Sequence, residues 1–134
     1  MTEKLFDASD SVLQDVLSFV EEKLDEIHCP RKISMQIIVA VEEVFVNISH
    51  YAYIDGKGKM KLGISTNNGA VTLCFIDSGV PFNPLTKTDP DITLLAEERD
   101  IGGLGILMVK RTMDELNYEN KDGKNVLTLV KKYE

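Results

Sequence analysis

Three short patterns in this 134-residue sequence combine residue types that can do chemistry. The first is Glu43-x-x-x-Asn47. Residues four apart on a helix share a face, so a carboxylate and an amide are stacked on a segment that is otherwise apolar. A buried charge has to be paired, metal-bound or neutralised. A helix-borne amide oxygen suits Mg2+, and a carboxylate one turn away can orient or deprotonate a hydroxyl nucleophile. The adjacent Glu42 keeps a plainer reading open, in which both glutamates and Asn47 line one solvated edge. The second pattern is Asp77-Ser78-Gly79, at the end of an apolar run over 71–76. Asp-x-Gly is a common turn. Yet a carboxylate at the inner end of a strand can accept from an exocyclic amine such as that of adenine, and Gly79 lets a flat ring come close to the backbone. The third is the cluster Gly102, Gly103 and Gly105. Glycines directly before a helix free its first amides to face an anion such as phosphate; close helix–sheet packing with a hinge is the structural alternative. No Gly-Lys-Ser/Thr follows the cluster and a long loop precedes it, so it is neither a P-loop nor a dinucleotide fingerprint.

The elements that must position these residues follow from periodicity. Residues 4–6 suit a short edge strand. Leu13, Val16, Leu17, Val20, Leu24 and Ile27 recur at spacings of three and four, the stripe of an amphipathic helix that Ser9 or Asp10 is placed to cap and Pro30 follows. A second helix over 33–51 is apolar around almost its whole circumference, which predicts burial on most sides. From residue 60 the period becomes two, and Asn67-Asn68-Gly69 turns one strand into the next, 71–76. Residues 80–100 hold three prolines and little periodicity, the mark of a functional loop. A third helix is expected from Ile106 to about Leu116, then a hairpin, 117–121 and 125–132, turning at Asp122-Gly123. The order β α α β β loop α β β predicts an α+β fold, a two-layer sandwich with helices on one face of a mainly antiparallel mixed sheet. Phe19, Met35, Phe45, Phe75 and Met108 fit the apolar stripes and read as core.

The order of the three patterns is more telling than any one alone. The segments VEEVFVNISHYAY (41–53), DSGVPFNP (77–84) and IGGLGILMVKRTMDELNY (101–118) resemble the GHKL ATPase superfamily, whose Bergerat fold is shared by gyrase, MutL and histidine kinases. Within it they are similar to the free-standing anti-sigma-factor serine/threonine-protein kinases, over roughly residues 13–132. The resemblance implies one histidine-kinase-like ATPase domain over 1–134, with an ATP lid at about 80–101. It implies Glu43 as general base, Asn47 as the Mg2+ ligand, Asp77 as the partner of the adenine amine with Gly79 in the same box, and Gly102, Gly103 and Gly105 at the phosphates. Arg99 matches an arginine used near the γ-phosphate or the partner surface. Thr128 is the candidate for a final-strand hydroxyl that supports the adenine aspartate. One departure stands out: Tyr51 holds the place, four residues after the magnesium asparagine, where many relatives carry His, and His50 precedes it.

The expected function is phosphoryl transfer from ATP to a serine or threonine of a STAS-type anti-anti-sigma protein, together with sequestration of a sigma factor, with ATP and Mg2+ as cofactors and a homodimer as the assembly. The alternative is a non-enzymatic module of the same fold in which ATP and ADP gate protein binding; a degenerate domain that binds no nucleotide is the third reading. The length leaves no room for the phosphoacceptor domain of a histidine kinase or the transducers of a topoisomerase. Fifteen Lys and Arg against 22 Asp and Glu give a net charge of −7, which repels a phosphate backbone and argues against direct nucleic-acid binding. The acidic start and the lack of a span-length apolar run predict a cytoplasmic protein with no membrane contact. Cys29 and Cys74 lie in unlike segments, against a disulfide or zinc site.

Overall fold

The computed structural model describes residues 1–86 and 103–134. Five strands form one sheet in the order β1-β2-β3-β5-β4, from β1 (Thr2–Asp7), β2 (Lys59–Asn67), β3 (Ala70–Asp77), β4 (Glu115–Lys121) and β5 (Lys124–Lys132). All four pairings are antiparallel, so the sheet is not mixed. Helices α1 (Leu13–Glu26), α2 (Arg31–Tyr51) and α3 (Gly103–Thr112) and two 3₁₀ turns, Asp10–Val12 and Pro84–Thr86, complete the described elements. Two hairpins fix much of the register: Asn68 and Gly69, and likewise Asp122 and Gly123, have positive φ at both turn positions, the geometry that matches the strand twist. β5 then inserts between β3 and β4, which places α3 in the connection between β3 and β4.

One face of the sheet carries the core. Met60, Leu62 and Ile64 of β2, Val71, Leu73 and Phe75 of β3, and Leu127 and Leu129 of β5 alternate along their strands. They join Val16, Val20 and Leu24 of α1, Ile37, Val41, Val44 and Phe45 of α2, and Val109 of α3 in one cluster. The two-residue period thus puts positions 71, 73, 75 and 77 of β3, and 125, 127 and 129 of β5, on the same face.

Several expectations need correcting. Ser9 caps a 3₁₀ turn, Asp10–Val12, rather than α1, whose N-cap Val12 has no side-chain bond. Asp10 instead reaches the end of α2, accepting from Ser49 Oγ at 2.8 Å and meeting His50 Nε2 at 2.6 Å. These two contacts hold the Asp10 carboxyl below the usual carboxylate range, the His50 bond first. α3 stops at Thr112 instead of Leu116 because Lys131 Nζ takes the Thr112 carbonyl at 2.6 Å and Asp114 N donates to Val130 O, which starts β4. Met35 and Met108 are not core: they are 58% and 49% exposed. α2 buries one side only, while Ile38, Val39 and Val46 stay half-exposed. With 21 residues and a mean hydropathy of 1.2 over its most apolar window, it is long and apolar enough to cross a membrane by length and composition. Here that apolarity serves as the face packed on the sheet.

Phe45 is fully buried in this α2–sheet contact. Replacing it with Ala should cost about 3–5 kcal/mol of unfolding free energy, read from the urea midpoint at unchanged slope.

Candidate functional site

The last turns of α2, the ends of β3 and β5, the chain just after β3 and the start of α3 line one cleft. Its walls are mostly apolar, with Val44, Ile48, Phe75, Ile106 and Leu127 among them, and Asn47, Asp77, Tyr118 and Asn125 supply polar atoms. A largely apolar slot with a few convergent polar groups is what a small planar ligand with a polar edge requires.

Asp77 is the last residue of β3 and only 6% exposed. Its Oδ1 accepts from Gly79 N at 2.9 Å, an Asx turn, and from Asn125 Nδ2 at 3.0 Å. The second donor comes from the sheet, since Asp77 and Asn125 are directly opposite in the β3–β5 register. Thr128 does not support Asp77: it pairs with Cys74 and shares that residue's face of the sheet, away from Asp77. Odd positions of β5 face the core and even ones face away. The parity of Leu127 and Leu129 already puts Thr128 on the other face of β5; which core-facing position meets Asp77 is set by the β3–β5 register.

Gly79 has a tighter reason than ligand approach. A Cβ on it would overlap the Ala52 carbonyl at the end of α2, the same carbonyl that accepts from Val80 N at 2.7 Å. The close neighbour of this glycine is backbone of the protein itself.

Asn47 lines the cleft from α2. Glu43, one turn earlier, lies against the start of α3, where a Cβ on Gly105 would overlap Glu43 Oε2. Burial, and secondarily the adjacent Glu42, push the Glu43 carboxyl above its ordinary range. The structure therefore brings Asn47 and Asp77 to one cleft, with Gly79 N hydrogen-bonded to Asp77 beside it, and Glu43 to Gly105 at its α3 side. Gly103 opens α3. Arg99 and Gly102 lie outside the described residues, as does most of the loop expected to be a lid. His50 is turned to Asp10, and Tyr51 lines the cleft in its stead. Asn125, Tyr118 and Phe82 were not singled out by sequence reasoning.

No group of three or more His, Cys, Asp and Glu among the described residues could hold a metal by itself. A site with one amide oxygen from Asn47 fits Mg2+ bound mainly by water and phosphate oxygens, since that ion dehydrates reluctantly.

A family model described as the histidine kinase-like ATPase domain matches residues 6–131. The chain is 24% identical over 100 residues to the serine/threonine-protein kinase BtrW of Bordetella bronchiseptica, a match covering 74% of this chain and 70% of that protein. It is 28% identical over 93 residues to the serine-protein kinase RsbW of Bacillus mycoides, covering 66% of this chain and 58% of that one. Among solved structures, the SiaB–SiaC complex of Pseudomonas aeruginosa superposes with a TM-score of 0.60 at 18% identity, over 96% of this chain and 88% of that chain, a likeness of fold.

Because the Glu43 carboxyl is raised by burial, its ionisation opposes folding once the pH exceeds the ordinary carboxylate range, and fully so above its own raised value. E43Q removes that penalty, so its melting temperature at pH 7 should match or exceed the wild type, with the difference vanishing as the pH falls toward 4. Gly105→Ala should displace the Glu43 side chain more than α3, and so depress turnover more than the melting temperature.

Proposed function

This chain belongs to the histidine kinase-like ATPase family, and from that premise we propose that it is an ATP-dependent serine/threonine-protein kinase acting as an anti-sigma factor. Its acceptor is a serine or threonine hydroxyl on a STAS-type anti-anti-sigma protein, its second partner a sigma factor, its setting cytoplasmic and its assembly a homodimer. Family membership implies ATP binding. The kinase assignment is supported by the Bordetella and Bacillus relatives, which are named as serine/threonine- and serine-protein kinases, and by the three sequence segments. One observation carries the reading: Asn47 of α2 and Asp77 of β3 face one cleft, beside the Glu43–Gly105 contact where α3 begins.

Asp77 accepts the exocyclic amine of adenine between the apolar walls, and the amides at the start of α3, freed by Gly103 and Gly105, face the phosphates. Arg99 is assigned to the γ-phosphate or the partner surface, and Gly102 to the phosphates. Asn47 would hold Mg2+, which supplies charge neutralisation between the β- and γ-phosphates. Glu43 takes the proton of the acceptor hydroxyl as its oxygen forms a bond to the γ-phosphorus; the bond to the β-phosphate oxygen breaks and ADP leaves. A carboxyl raised by burial is better matched to that proton than an exposed one.

Phosphate transfer from labelled ATP to candidate STAS proteins, run beside calorimetry with ATP and Mg2+, tests this. E43Q should retain ATP binding and lose transfer by about 10²–10⁴-fold, while Asn47→Ala and Asp77→Asn should lose both. If E43Q keeps its partner-binding response while the wild type transfers no phosphate to any acceptor, the chain is instead a nucleotide-gated binding module.

A further inference from the structure

Asn125 is a buried amide whose hydrogen bonds join three parts of the structure: the end of β3, the chain just after it, and β4. It is 6% exposed. Its Nδ2 donates to Asp77 Oδ1 at 3.0 Å and to Val80 O at 3.0 Å, and lies 3.5 Å from Gly79 O. Its Oδ1 accepts from Tyr118 OH, from Asn120 Nδ2 at 3.1 Å and from Phe82 N at 3.4 Å. Every neighbour of Nδ2 is an acceptor and every neighbour of Oδ1 is a donor. A flipped amide would set its oxygen against the Asp77 carboxylate and the Val80 carbonyl and its NH2 against the Phe82 N–H, so the orientation is locked from both sides.

We propose that Asn125 is the positioning residue that sets the base selectivity of the cleft, by holding Asp77 as an acceptor-only edge and fixing the chain over residues 79–82 in the same network. The inference rests on the ATP-site reading above. Both donors to Asp77, Gly79 N and Asn125 Nδ2, go to Oδ1, and Oδ2 takes no hydrogen bond from the described residues. The oxygen left over can only accept, so the ligand group opposite it must carry an N–H. An amino group satisfies that demand; an oxo group at the same place sets oxygen against oxygen and leaves a buried acceptor unpaired. A hydroxyl in place of Asn125 could hold Asp77 but could not also serve Val80 O while accepting from Tyr118, Asn120 and Phe82 N, because it has a single hydrogen. The asparagine is what joins base recognition to the path of the chain leaving β3.

Titration calorimetry with ATP and with inosine triphosphate, which has oxygen in place of the 6-amino group, tests the proposal. The wild type should prefer ATP by about tenfold or more. Asn125→Ala should weaken ATP by about tenfold, leave inosine triphosphate nearly unchanged and bring the ratio toward one. Asn125→Asp keeps the shape but sets two carboxylates together, so its ATP affinity should recover as the pH falls and one proton comes to be shared, a dependence the wild type lacks. Tyr118→Phe, which removes one donor to Oδ1, should lower the ATP preference by a smaller factor and covers the case in which Asn125→Ala does not fold. A preserved ATP-to-inosine ratio in the folded variants, with only a lower melting temperature, overturns the role of Asn125. A wild type that binds neither nucleotide overturns the ATP-site reading instead.

Discussion

A carboxylate at the inner end of a core strand governs how this cleft is built. Val71, Leu73 and Phe75 lead along the buried face of β3 to Asp77, and an apolar residue there would serve packing better. Burying a carboxylate is tolerable only with donors in place. Two arrive by different routes: Gly79 N through a turn of three residues, and Asn125 Nδ2 from the neighbouring strand. The first is local and survives small shifts. The second exists only if β5 pairs with β3 in this register, so the site and the sheet are formed together.

α2 supplies the other wall. Its sheet-facing side, with Ile37, Val41, Val44 and Phe45, fixes the rotation of the helix. That rotation points Asn47 into the cleft and lays Glu43 on the start of α3. The helix end is held twice: Asp10 engages Ser49 and His50, and the Ala52 carbonyl takes Val80 N. Functional side chains on elements fixed this way keep their geometry better than side chains on loops. Gly79 and Gly105 are the points where backbone meets backbone or a carboxylate with no space for a side chain; both belong to close approach within the protein as much as to any ligand.

The residue in place of the expected histidine shows how one substitution is absorbed. His50 is drawn out to Asp10, and Tyr51 lines the cleft. An aromatic wall there adds apolar surface beside Asp77 and contributes no cation of its own.

The sequence by itself determined the element order, the α+β class, both hairpin turns and the positions of Glu43, Asn47, Asp77 and Gly105 in chemistry-bearing patterns, because periodicity, turn residues and i,i+4 spacing act within a few residues. It placed the end of α3 too late, at about Leu116 instead of Thr112, since Lys131, distant in the chain, takes the Thr112 carbonyl. It read Met35 and Met108 as core because an apolar residue on a stripe looks alike whether or not a partner covers it. The tertiary structure alone decided that Asn125 stands opposite Asp77. No turn joins β3 to β5, so their register comes from side chains packing across the sheet, and a shift of one residue would exchange the two faces.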